Sequence, residues 1–208
     1  MKNKILFFLL FLIFKSNLFA DNLFIQAKDI TIDKNKETTI FRNEVKIKTD
    51  DNKNIQSDKA IYDRKNNFVK LEGNITATDN KKNIIKTNYA EYNDNTKVFK
   101  SIGVTKVITS ENYKIEGKNI IFDNKNYIIK SENNAIITDL ENNKIFLNNF
   151  EYLSNKNIFK SIGLIELNDE MGNNYKFSQI YIDTKKKEIL GTDIKAFLND
   201  DAFKIHRD

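Results

Sequence analysis

Four aspartates, Asp33, Asp63, Asp123 and Asp183, stand at multiples of thirty residues from one another. Carboxylates repeated along one face are the place to look for hydrolysis, and glycoside cleavage requires two carboxyls about 5–9 Å apart, one with a raised pKa. Each of these acids instead opens a polar cluster such as Asp63-Arg64-Lys65-Asn66. There the side chain can bond its own main chain, and an acid demanded by every turn reads as structural. A serine nucleophile lacks support: no G-x-S-x-G is present, and the single histidine, His206, lies two residues from the end. The lone histidine and the absence of cysteine exclude His-based triads, His-cluster or thiolate metal sites, and a disulfide framework. Lys185-Lys186-Lys187 reads as a solvated turn tip. The sequence therefore predicts no catalytic residues, no metal, no cofactor and no enzyme activity.

What spaces the aspartates is a repeat. Segments beginning at Ile25, Ile55, Ile85, Ile115, Ile145 and Tyr175 align without a gap, the signature of a repeat architecture. Five positions on stand Ile30, Ala60, Ala90, Ile120, Phe150 and Ile180, and seven on stand Ile32, Tyr62, Tyr92, Phe122, Tyr152 and Ile182. The next column is Asp33, Asp63, Asn93, Asp123, Leu153 and Asp183, with one departure, Leu153.

Inside each unit the period is two. Ile55, Ser57, Ala60 and Tyr62 mark one arm; Val69, Leu71, Ile75 and Ala77 mark the next. Alternation rich in β-branched and aromatic residues predicts strands. Asp/Asn-rich clusters between arms predict hairpin turns. The inward set of the first arm steps by three between Ala27 and Ile30, a parity slip that a bulge or corner must absorb. The second arm carries Asn43, Gly73, Gly103, Asn133, Gly163 and Asp193 at one column, residue types that accept unusual backbone angles. The expected fold is all-β: an elongated, V-shaped jelly-roll of about twelve bent antiparallel strands in six 30-residue repeats, with residues 1–20 as a leader and 21–208 as one domain. At about 4.8 Å per strand its trough would run roughly 55–60 Å. A parallel β-helix with one turn per unit is the other arrangement, and two turn clusters per unit favour hairpins over it.

The net charge is +5, but Lys2, Lys4 and Lys15 supply three cations to a leader without acids. From Asp21 on, 31 basic residues face 29 acidic ones, so no nucleic-acid footprint is expected. The apolar run from Ile5 to Phe14 is about half the length needed to span a bilayer as a helix. With Leu18-Phe19-Ala20 after it, it reads as a signal peptide cut after Ala20, with an uncleaved membrane anchor as the alternative.

The inward columns admit two readings, a packed core between two walls or an apolar channel for acyl chains, and composition does not separate them. The chain ends would leave unpaired strand edges near Ile25–Asp33 and Ile189–Phe197, which suit pairing with a similar domain.

Units of this form, best seen in Ile55-Gln56-Ser57-Asp58-Lys59-Ala60-Ile61-Tyr62-Asp63 followed by Leu71-Glu72-Gly73-Asn74-Ile75, resemble the OstA-like repeats of lipopolysaccharide-transport proteins. Ile85 to Asn93 is similar. The family includes the periplasmic bridge protein LptA and the N-terminal domain of the outer-membrane assembly protein LptD. The resemblance implies lipopolysaccharide as ligand and a periplasmic location, with outer-membrane association a further option. It also implies other Lpt-type jelly-roll domains as edge-strand partners. It makes Ile30, Ile32, Tyr62, Val69, Leu71, Tyr92, Phe99, Phe122, Ile129, Tyr152, Phe159 and Ile182 the expected lipid-facing residues. The stretch from Gly191 to Phe203 looks like the lead into the LptD barrel. A structural or adhesive repeat protein with a closed core is the competing expectation.

Overall fold

The computed structural model describes residues 23–50 and 52–199; the leader and His206 lie outside the described residues. The chain runs through twelve arms, seven unbroken or nearly so and five split at the corner, giving seventeen strands. β1 (Leu23–Gln26) and β2 (Asp29–Asp33) form the first arm, followed by β3 (Thr38–Thr49), β4 (Asn54–Asp63), β5 (Phe68–Thr78), β6 (Ile84–Asn93) and β7 (Val98–Ile108). Three split arms come next: β8 (Lys114–Lys118) with β9 (Ile121–Asp123), β10 (Ile128–Ser131) with β11 (Ala135–Thr138), and β12 (Lys144–Leu147) with β13 (Phe150–Leu153). β14 (Ile158–Asn168), β15 (Asn174–Asp183) and the split pair β16 (Glu188–Thr192) and β17 (Lys195–Phe197) complete the fold. Every arm pairs antiparallel with its sequence neighbours, as β4 does with β3 and β5, and split arms pair half by half. This is a hairpin meander, and the parallel β-helix is set aside.

The corners lie where the parity slips. Between β4 and β5 the register shifts from Gln56 to Lys59, and between β5 and β6 from Glu72 to Ile75. Gly73 (φ 76°), Gly103 (φ 81°) and Gly163 (φ 118°) turn the second arms with left-handed backbone, and Asn43 (φ 61°) and Asp193 (φ 53°) do so without glycine. Asn133 is not left-handed; its arm breaks there into β10 and β11. The corners fold one sheet lengthwise into two walls. The back wall carries the turns that start at Asp33, Asp63, Asn93, Asp123, Leu153 and Asp183, and the front wall carries the intervening turns.

The recurring aspartates cap turns. Asp63 accepts the backbone N–H of Asn66 at 3.1 Å and its side-chain amide at 2.7 Å, and these bonds hold its carboxyl below the usual range. Asp123 repeats both bonds with Asn126. On the front rim, Asp79, Asp139 and Asp169 each bind the side-chain amide of the asparagine four residues on at 2.7 Å. The Oδ1 atoms of Asn83, Asn143 and Asn173 then accept N–H groups of Ser110, Glu170 and Asn199 at 3.0, 3.3 and 2.8 Å. Each bond reaches the next turn along, so the asparagines lace the stack together.

Between the walls lies one apolar cluster that runs from Leu23 to Ile182. Inward side chains at period two on both halves of each arm build it, and each arm buries its face against its neighbours and the opposite wall.

Candidate functional site

The candidate lipid-facing residues fall into three groups. Val69, Leu71, Tyr92, Phe99, Phe122, Ile129, Tyr152, Phe159 and Ile182 all point between the walls and are no more than 3% exposed. Tyr62 packs against the cluster while partly buried. Ile30 and Ile32 are 55% and 67% exposed. The interior is therefore filled by side chains. Phe159 is its hub, stacked on Tyr152 at 4.2 Å and tilted against Tyr113 and Phe150 at 6.1 and 6.3 Å. Phe99 meets Phe122 edge-on at 6.0 Å.

The aromatic column keeps its ring inside and its hydroxyl at the rim, the usual disposition of a buried tyrosine. Tyr62 donates to Asn67 at 3.1 Å, Tyr92 to Asp94 at 3.1 Å and Tyr152 to Glu111 at 2.9 Å. Burial, reinforced by the Glu111 carboxylate, raises the Tyr152 hydroxyl well above an ordinary phenol.

Two free rims form the mouth of the folded sheet, and polar contacts clasp it. Lys97 on the back rim pairs with Asp50 on the front rim and with its own neighbour Asp94, both at 2.7 Å. Burial favours the neutral amine of Lys97, but the two carboxylates outweigh it and its pKa lies above the ordinary lysine value. Lys53 reaches the Lys97 carbonyl at 3.3 Å and lies 4.8 Å from the centre of the Tyr92 ring. Lys81 donates to the Ser154 carbonyl at 2.8 Å and sits over Tyr127. The Tyr152–Glu111 bond closes a third point. These partners lie 41 to 73 residues apart, and the contacts of Glu111, Lys53 and Asp50 reach 41, 44 and 47 residues on. The walls thus face each other with a skew of about one and a half repeats.

Sequence reasoning found the inward columns and missed the clasp. Apart from Tyr152, its residues sit in or beside turns, where the repeat leaves side chains free to vary, and the skew between walls leaves no trace in local spacing. A groove of about 510 Å³ over Val104, Ile136, Phe146 and Leu164 lies on the outside of the front wall, away from this interior. Among the described residues no group of histidine, aspartate and glutamate side chains is placed to hold a metal ion.

No curated protein matches the chain. Among solved structures, it is similar to LptH of Pseudomonas aeruginosa, the LptA homologous periplasmic component of a lipopolysaccharide transport device. Identity is 11%, with 85% of this chain and 94% of that chain covered, at a TM-score of 0.25. The TCP10 domain of Danio rerio CPAP in complex with a STIL peptide is similar at 7% identity, with 81% and 97% covered and a TM-score of 0.21. Superpositions this loose carry no weight for fold or function. The family match does: residues 21–135 match the family described as lipopolysaccharide-assembly, LptC-related. The motif resemblance pointed to the LptA and LptD members of lipopolysaccharide transport, and the matching family is LptC-related. With more than half of its length matched, the chain belongs to the LptC-related lipopolysaccharide-assembly family.

Proposed function

We propose that this chain shelters the acyl chains of lipopolysaccharide between its two walls in the periplasm and passes them on without making or breaking a bond. The observation that carries this reading is a single apolar cluster running lengthwise through a folded sheet, closed along one side only by polar contacts. Exposing a tail to water costs about 0.8 kcal/mol per CH₂. An ion pair at a partly exposed rim contributes about 1 kcal/mol or less. Parting the rim is therefore cheap beside carrying a tail through water, and an inserted tail replaces much of the packing that the parting walls give up. The inward residues from Val69 to Ile182 act collectively as the apolar lining, with Tyr62 at the margin.

The same reading extends to the ends. β2 and β16 each pair on one side only among the described residues. Because of the skew, the back wall overhangs at the first arm, leaving Ile30 and Ile32 uncovered, and the front wall overhangs at the last, leaving Ala196, in register with Tyr175, exposed. The two overhangs are opposite halves of one sandwich, so a similar jelly-roll domain docked at either edge continues both sheets and covers these residues. We assign the chain an LptA-like bridging role in that sense; an LptD N-terminal-like role would use the same edges. Its partners are then lipopolysaccharide and other Lpt-type jelly-roll domains. Residues 1–20 would act as the export signal.

The filled interior also favours a second reading, a structural or adhesive repeat with a permanently closed core. Photocrosslinking from position 92 or 122, in cells making lipopolysaccharide, separates the two. Lipopolysaccharide adducts from these buried positions are expected. A folded protein that yields none from any inward position would establish the closed-core reading.

A further inference from the structure

Four front-rim turns oppose the back wall, and three of them are clasped. Asp50 and Lys53 reach Lys97, Lys81 reaches Ser154, and Glu111 reaches Tyr152. The fourth turn, Asp139 to Asn143, faces the turn ending at Lys187. No hydrogen bond or ion pair among the described residues joins them. A cavity of about 150 Å³ occupies the gap. Its floor is made of Tyr113, Ile145 and Ile182, all members of the central cluster. The gap therefore stands directly over the filled interior.

The front lip carries an apolar residue where the other front-rim turns are polar. At the column just after the turn's first residue stand Asp50, Asn80, Ser110, Leu140 and Glu170; Leu140, the one apolar residue in it, falls at the unclasped turn. Leu140 is 52% exposed, and Ile189, an inward residue of the edge strand β16, is 42% exposed. An exposed leucine and an exposed edge-strand isoleucine above a buried apolar floor are what a fatty chain needs to leave water stepwise, each methylene desolvated as it passes. The charged rim residues Asp139, Glu141 and Lys187 keep the surrounding surface wet.

We infer that acyl chains enter and leave the interior at this gap, between the Asp139–Asn143 turn and the β15–β16 turn, while the clasped length of the mouth stays shut. This port rests on the lipid-sheltering reading above. The test uses the absence of native cysteine. Leu140→Cys with Lys187→Cys, joined by a short bis-maleimide, bridges the gap. Asn80→Cys with Asn124→Cys, which line a separate mouth cavity of about 80 Å³, bridges the clasped part. Each pair is incubated with purified lipopolysaccharide before and after linking, and bound lipid is read after gel filtration, with thermal melts reporting folding.

Linking 140 to 187 should abolish loading, and linking 80 to 124 should leave it intact. In addition, Leu140→Asn, which restores the polar type of the neighbouring turns, should slow loading without lowering the melting temperature. If the 140–187 link leaves loading intact, or if both links abolish it, the port is wrong while lipid sheltering stands. If the unmodified, folded chain takes up no lipopolysaccharide, the sheltering reading falls and takes the port with it.

Discussion

The middle of the molecule and its two ends are built from the same columns but hold them differently. Tyr92, Tyr152 and Ile32 occupy one column of the repeat; the tyrosines are fully buried and Ile32 is 67% exposed. On the front wall Ile145, Leu167, Tyr175 and Ala196 follow one another in cross-strand register, and of these only Ala196, on the last arm, is exposed. Alternation decides which way a side chain points, whereas burial requires an opposite wall. The skew of about one and a half repeats removes that wall from the back of the first arm and from the front of the last. Apolar residues at these ends are therefore inward-facing without an inside, and this makes the ends suitable for a partner.

The contrast is largest for core truncations. Phe159→Ala removes the ring that joins Tyr113, Phe150 and Tyr152 and should cost about 3–5 kcal/mol, a fall in melting temperature on the order of 10 °C for a chain of this size. Ile32→Ala, in the exposed overhang, should stay within about 0.5 kcal/mol. Thermal denaturation of the two variants checks the comparison. A large loss from Ile32→Ala in a monomeric sample would mean that its face is already covered.

The corners supply a smaller contrast. Gly103→Ala meets nothing within 4 Å, whereas a Cβ at Gly73 would lie 2.4 Å from Asp58 Oδ2. Both pay the left-handed penalty of about 1–2 kcal/mol. Gly73→Ala must also push aside the carboxylate that accepts a hydrogen bond from Asn74 at 2.8 Å, so urea melts should show it as the less stable of the two. These corners were legible in the sequence, because Gly, Asn and Asp at a thirty-residue spacing have few other uses. The inward columns, the turn aspartates and the number of arms were legible for the same reason: each is set by local backbone geometry repeated six times. The filled interior, the clasp and the gap were not. They depend on how far one wall slides past the other, which is set by twist and packing accumulated over many arms. Leu140 alone left a mark, as the apolar member of an otherwise polar column, and its meaning required the facing turn.

The smallest effects belong to the clasp, where middle and end differ by a few polar contacts. Lys97 and Tyr152 both have raised pKa values, so each favours the folded state in its protonated form. Their contribution is fully present below the unfolded-state values near 10 and is lost as the pH rises through the folded ones. Loss of the Lys97 charge leaves Asp50 and Asp94 facing each other without a cation. Ionisation of Tyr152 sets a phenolate against Glu111. Raising the pH from 9 to above 10.5 should therefore loosen the first clasp while the third still holds, because the Tyr152 hydroxyl lies well above an ordinary phenol. Amide hydrogen exchange, corrected for its intrinsic pH dependence, should lose protection at 50–53 and 94–97 before 111–113 or 139–143 changes. Lys97→Met should remove this early pH response at 50–53. If the gap at 139–143 opens first instead, the clasp does not hold the mouth, and the difference between middle and end must come from core packing alone.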